Sequence, residues 1–206
     1  KEPENQIEID KILVDYDGTN DKSSMGANAT LAISLAAAHV SAKNKNINLY
    51  EHFSRIYSDI TGKRNKYSLP MPMLNILNGG EHADNNVDIQ EFMIVPSGAK
   101  DFVQVMKWSM EIYHNLKKIL LSKNYSTAVG DEGGFAPNLK SNEEAIELII
   151  ASIETTKLKP GEDVNIALDC AATEFFDGNN YVLDGDNQKY TSEEFTEYLD
   201  SLITKY

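Results

Sequence analysis

The stretch Gly130-Asp131-Glu132-Gly133-Gly134-Phe135-Ala136-Pro137-Asn138 constrains the fold more than any other part of the chain. Its glycines lose the most backbone freedom on ordering, and its proline lacks an amide donor, so neither a helix nor a strand interior accommodates it. It is expected to be a tight acidic loop. Loops held on a rigid scaffold carry a disproportionate share of chemistry. A lone Asp-Glu-Gly-Gly is nonetheless more often a solvated turn, and only its company can reverse that reading.

The rest of the chain sets the company. It has 206 residues, 41% hydrophobic and 25% charged, which suits one large or two small globular domains. A net charge of −13 argues against nucleic acid or an anionic membrane as the main partner. A phosphorylated ligand would need a metal ion or a local basic group beside it. Cys170 is the single cysteine, which suits a reducing compartment. The N-terminus lacks the apolar core of a signal peptide, and the apolar stretch Leu31 to Val40 is too short to span a bilayer. The expected location is the cytoplasm.

Gly26-Ala27-Asn28 is expected to open a helix to about Lys45, with Leu31, Ile33, Leu35 and Ala38 on its apolar side. A second helix is expected over Leu49 to Ser58. The polar, basic segment Thr61 to Lys66 is the best boundary, dividing domains at residues 1–62 and 63–206. Beyond it, Leu69 to Leu77 carries Pro70 and Pro72 and reads as an edge or first strand. Ile89 to Val95 reads as a second strand, and Asp101 to Lys123 as a long amphipathic helix. Ser141-Asn142-Glu143-Glu144 and Thr191-Ser192-Glu193-Glu194 are capping-box signatures that start two more helices. Between them lie a short strand, Val164 to Leu168, and half a hairpin at Tyr181 to Leu183. Helices followed by alternating strands and helices give an α/β class with parallel strands.

Three acidic residues stand out. Glu91 sits in an apolar strand, where a carboxylate is costly unless it faces water or a partner. Glu132 lies in the glycine loop, and Asp169 ends a strand, where α/β enzymes place ligands. Each alone is as readily a satisfied structural carboxylate. His82 lies in the polar loop Gly79 to Asn86, expected to be flexible, and a lone loop histidine is more often solvated. Ser23 precedes a helix and by itself reads as a turn serine. No basic neighbour in sequence marks Cys170 as a thiolate nucleophile.

Together these residues resemble enolase. The matching segments are Asp17-Gly18-Thr19 with Lys22-Ser23 and Gly26 to Ala29, Leu69-Pro70-Met71-Pro72 with Asn75 and Asn78-Gly79-Gly80, His82 to Met93, Gly130 to Asn138, and Leu168 to Ala172 with Glu174-Phe175. They run over nearly the whole chain in order, and Gln90-Glu91-Phe92-Met93 is specific to that family. The wording is of bacterial type. The resemblance implies an enolase-type TIM-like barrel, beginning β-β-α-α and then βα units, preceded by the helical end of an α+β domain. It implies a glycolytic lyase that dehydrates 2-phosphoglycerate to phosphoenolpyruvate through an enediolate stabilised by two Mg2+. Glu132 is then the acid that protonates the departing hydroxyl, and Glu91 assists and contacts substrate. His82 and Gln90 contact substrate, Asp169 binds the tightly held Mg2+, and the mobile Ser23 loop helps to hold the second. A homodimeric parent is implied as well.

Asp21 stands where asparagine is usual and Thr173 where serine is usual. The base lysine and two further acidic metal ligands have no counterpart in residues 1 to 206, so about half an enolase is expected, inactive by itself. A non-catalytic binding or scaffold role is the alternative. Another metal-assisted enzyme on a related barrel is disfavoured by the Gln90 to Met93 segment.

Overall fold

The computed structural model describes residues 4–64 and 66–206. Residues 1–3, and Asn65 of the expected boundary segment, lie outside them. The chain divides into two compact units, residues 1–68 and 69–206.

The first unit holds three helices, α1 (Gln6–Asp17), α2 (Ala27–Asn44) and α3 (Leu49–Thr61). The sequence reading did not anticipate α1. Its Ile7, Ile9, Ile12 and Val14 are β-branched and lower helix propensity. Its ends supply what propensity does not: the Asn5 side chain accepts the Glu8 N–H, and Gly18 closes the helix at φ 72°. In α2 the expected apolar side holds only at Ala38. Leu31, Ile33 and Leu35 are exposed, whereas Ala38, Ser41 and Ala42 are buried. Small side chains let helices approach closely, and here they form the contact. α3 opens on a capping box, with the Asn48 N–H donating to Glu51 Oε2 at 2.8 Å.

The second unit is built on a three-stranded sheet of β1 (Leu74–Asn78), β2 (Glu91–Val95) and β3 (Asn165–Asp169), in that order. Pro70 and Pro72 precede β1 instead of entering it. The expected parallel pairing is not what forms: β2 is antiparallel to both neighbours. Parallel neighbours need a crossover, usually a helix, and only loop and a short 3-10 turn (Gly80–His82) join β1 to β2. The reversal brings the start of β2 level with the ends of β1 and β3. Asn78, Glu91 and Asp169 therefore form one row across the sheet.

Helices α4 (Phe102–Ser122) and α5 (Asn142–Thr155) pack together, and their Ile112, Leu116, Leu120, Ile149 and Ile153 join Leu77, Ile89, Phe92 and Ile94 in one core. Each such fully buried side chain contributes about 1.5–3 kcal/mol. Asp101 caps α4 through the Gln104 N–H. At α5 only half the expected capping box forms. Ser141 accepts the Glu144 N–H, but the Glu144 carboxylate takes the Lys140 N–H and the Tyr125 hydroxyl instead. The hairpin β4 (Tyr181–Leu183) and β5 (Gln188–Tyr190) leads into α6 (Ser192–Lys205), whose Thr191–Glu194 capping box is complete. The architecture is α/β, and the described strands do not close into a barrel. Among the described residues no helix is long and apolar enough to cross a membrane.

Candidate active site

The row Asn78, Glu91, Asp169 is the foundation of the site. Above it lies the glycine loop, positioned by β1 and α4. Phe135 bridges to Leu77, with the Phe135 N–H donating to the Ile76 carbonyl and the Asn78 N–H to the Phe135 carbonyl, each at 2.9 Å. Tyr113 of α4 stacks on Phe135 and donates its hydroxyl to the Gly133 carbonyl at 2.8 Å. The glycines have a steric reason. A Cβ at Gly134 would collide with the Asn78 side chain, and one at Gly130 with the His82 carbonyl. The loop thus lies directly on β1, and Glu132 projects beside Asn75, whose Nδ2 donates to Glu132 Oε2 at 2.9 Å.

His82, in the 3-10 turn, completes the cluster. Its Nδ1 lies 3.6 Å from Glu91 Oε1 and 3.6 Å from Glu132 Oε2. That is beyond hydrogen-bond reach, and Nδ1 is buried without a bonded partner among the described residues. Glu91, Glu132 and His82 present ligand atoms all within 4.8 Å of one another. The two carboxyls are driven apart. Burial, then the negative charges of Glu132 and Asp169, push Glu91 above the ordinary carboxylate range. The Asn75 amide holds Glu132 below it. Paired carboxyls with divergent proton affinities suit acid–base work.

The loop carrying His82 was expected to be flexible. It is strapped down. Asn85 Nδ2 donates to the Asn78 and Pro137 carbonyls, each at 3.0 Å, and Asn86 exchanges hydrogen bonds with Leu139. The Asp131 N–H donates to the His82 carbonyl at 2.9 Å, so Asp131 serves the loop through its backbone while Glu132 faces the cluster. Buried Asn142 anchors the far end, accepting the Asp88 and Ile89 N–H groups.

Gln90 directly precedes β2, and its carbonyl accepts the Gly79 N–H. Its side chain makes no hydrogen bond among the described residues. Asp169 is exposed at the end of β3, and its Oδ1 accepts the Ala171 N–H at 3.0 Å. Ser23 lies in the first unit, exposed between α1 and α2. Its N–H donates to Thr19 Oγ1 and Asp21 Oδ1. Asp21, at the departing position, thereby takes part in holding that loop. Burial pushes the Cys170 thiol up, away from nucleophile character. Two depressions of about 700 Å3 flank the His82 loop, and neither is lined by Glu91, Glu132 or Asp169.

One contact escaped the sequence reading. Asn75 counted only as part of a matching segment, yet it is the residue that touches Glu132. An amide inside the apolar strand Leu74 to Leu77 was the available signal.

Comparison with protein families decides the kinship. A family model described as the enolase C-terminal TIM barrel domain matches residues 66–206, and one for the enolase N-terminal domain matches residues 1–53. The chain belongs to the enolase family. Membership of the enolase family places it among lyases. His82, Glu91 and Glu132 offer a mixed nitrogen and oxygen donor set, which suits a divalent cation.

Proposed function

We propose that a parent protein containing this chain catalyses the reversible dehydration of 2-phosphoglycerate to phosphoenolpyruvate. The observation that carries this is the convergence of Glu91, Glu132 and His82 beside the strand-end row, in a chain of the enolase family. In this reading Glu132 delivers the proton that lets the substrate hydroxyl leave as water. In the empty cluster the Asn75 amide favours its ionised form and Glu91, raised by burial, is the carboxyl that holds a proton, so Glu132 takes one up before that step. His82 and Gln90 bind substrate. Asp169 would hold Mg2+ in the parent, and Ser23 would contribute to a second Mg2+. The bound cation supplies positive charge against the substrate's anionic groups. The parent is a cytoplasmic homodimer in the same proposal.

The 206-residue chain by itself is read as inactive. The test is phosphoenolpyruvate formation from 2-phosphoglycerate with Mg2+. Turnover is expected from the parent, abolished by a chelator, and none from the isolated chain. A parent without turnover would overturn the reading. Robust turnover by the chain would overturn its second half.

A further inference from the structure

β1 carries a bulge. Its register with β2 runs Leu74↔Ile94 and Asn75↔Met93, then Leu77↔Phe92 and Asn78↔Glu91, leaving Ile76 as the extra residue. In a regular strand, residues three apart face opposite sides. One extra residue resets that alternation, which is how a bulge re-aims side chains. Asn75 and Asn78 consequently both meet the glycine loop. Asn78 fills the space that a Cβ at Gly134 would need, and Asn75 donates to Glu132 Oε2.

Among the described residues the Asn75 side chain makes no other hydrogen bond. Its Oδ1 is buried without a partner, and its strand neighbours Leu74, Ile76 and Leu77 are apolar. A residue retained for packing would not bring an unpaired carbonyl into that position. The donated amide also fixes the chemistry of the carboxyl it touches. An oxygen that accepts N–H acts as the carbonyl oxygen of a carboxylic acid, so the acid's proton belongs on the other oxygen.

We infer that Asn75 is the positioning residue for the acid: it holds Glu132 Oε2 beside His82 and so leaves Oε1 as the oxygen that carries and delivers the proton once Glu132 has taken one up. This rests on the dehydration proposed above. In that step the C3–O bond of the substrate breaks. The Oε1 proton joins the leaving hydroxyl as water, the enediolate electron pair forms the C2–C3 double bond, and Glu132 is left ionised. The C2 proton has already gone to the base. Removal of Asn75 therefore slows the second half of the reaction and spares the first.

The experiment compares the parent with its Asn75→Ala and Asn75→Asp variants on 2-phosphoglycerate. It follows exchange of the C2 proton with deuterated solvent and formation of phosphoenolpyruvate. In both variants kcat for dehydration is expected to fall about 10- to 100-fold, the scale of a misplaced catalytic group. KM and C2 exchange are expected to stay within about threefold of the parent, as both precede proton delivery. Melting temperature serves as the folding control. Should Asn75→Ala unfold, Asn75→Asp, which keeps the side chain's size, decides alone. Normal dehydration in a folded variant, or equal losses of exchange and dehydration, would overturn the inference. A parent that neither exchanges nor dehydrates would instead overturn the dehydration reading itself, before any variant is compared.

Discussion

Glu91 and Asp169 stand directly opposite one another across the β2–β3 ladder. Like charges in that relationship repel and destabilise a sheet. Part of that cost is relieved by the raised proton affinity of Glu91, and the rest is felt wherever both carboxyls are ionised. Asp169→Asn keeps the Oδ1 acceptor for the Ala171 N–H and removes one charge. In metal-free buffer this variant of the chain is expected to melt about 2–4 °C higher, the shift of a one-kilocalorie change in a domain of this size. A lower melting temperature would show that the repulsion is not felt.

In the parent, Glu132→Gln removes the transferable proton and leaves an amide of the same shape. Turnover is expected to fall by about 10²–10⁴, the usual contribution of a general acid, with a modest change in KM. Steady-state kinetics checks this, and near-normal kcat would remove Glu132 from the acid role.

Gly134 lies against the Asn78 side chain and the Leu77 backbone nitrogen, leaving no room for a methyl group. Gly134→Ala is expected to destabilise the second unit by about 1–3 kcal/mol, as overpacking does. Urea unfolding of the chain measures it. Gly133→Ala makes a useful contrast. Nothing stands near its Cβ position, but its φ of 86° favours glycine, so any loss there reflects backbone strain alone.

Asp177 supplies the pH dependence. Its carboxylate accepts Lys189 Nζ at 2.8 Å and the N–H groups of Asn180 and Asn179, which lower it to about 2. A depressed value in the folded state adds stability above the unfolded value of about 3.9. That contribution is lost as pH falls through the folded value. Asp177→Asn is therefore expected to melt below the wild type at pH 7, with the gap closing between about pH 4 and pH 2. The effect is small, because the group is exposed and screened. A gap unchanged at pH 2 would mean that the Asp177 charge is not its source.

Legibility followed the range of the cause. Helices α5 and α6 announced themselves because Ser141 and Thr191 act on amides three residues away, and α4 through its amphipathic pattern. The glycine loop was equally plain, since its composition excludes the alternatives. Helix α1 was hidden by a β-branched run that its caps and tertiary packing outweigh. Strand direction was not legible either. It depends on how the chain returns after Asn78, and Glu91 reads as strand interior until the antiparallel pairing places it first in β2. Glu132 was readable as a candidate from its glycines. For Asn75 only an amide in an apolar strand was legible, because its reach to Glu132 depends on the bulge at Ile76, which no local pattern in Leu74 to Asn78 marks.

The hydrogen bond from the Asp131 N–H to the His82 carbonyl, with the Asn85 and Asn86 straps beside it, ties histidine and acid to one piece of backbone. The turn that carries His82 and the loop that carries Glu132 are thus stitched together at Asp131, Pro137 and Leu139, so cutting one stitch slackens both.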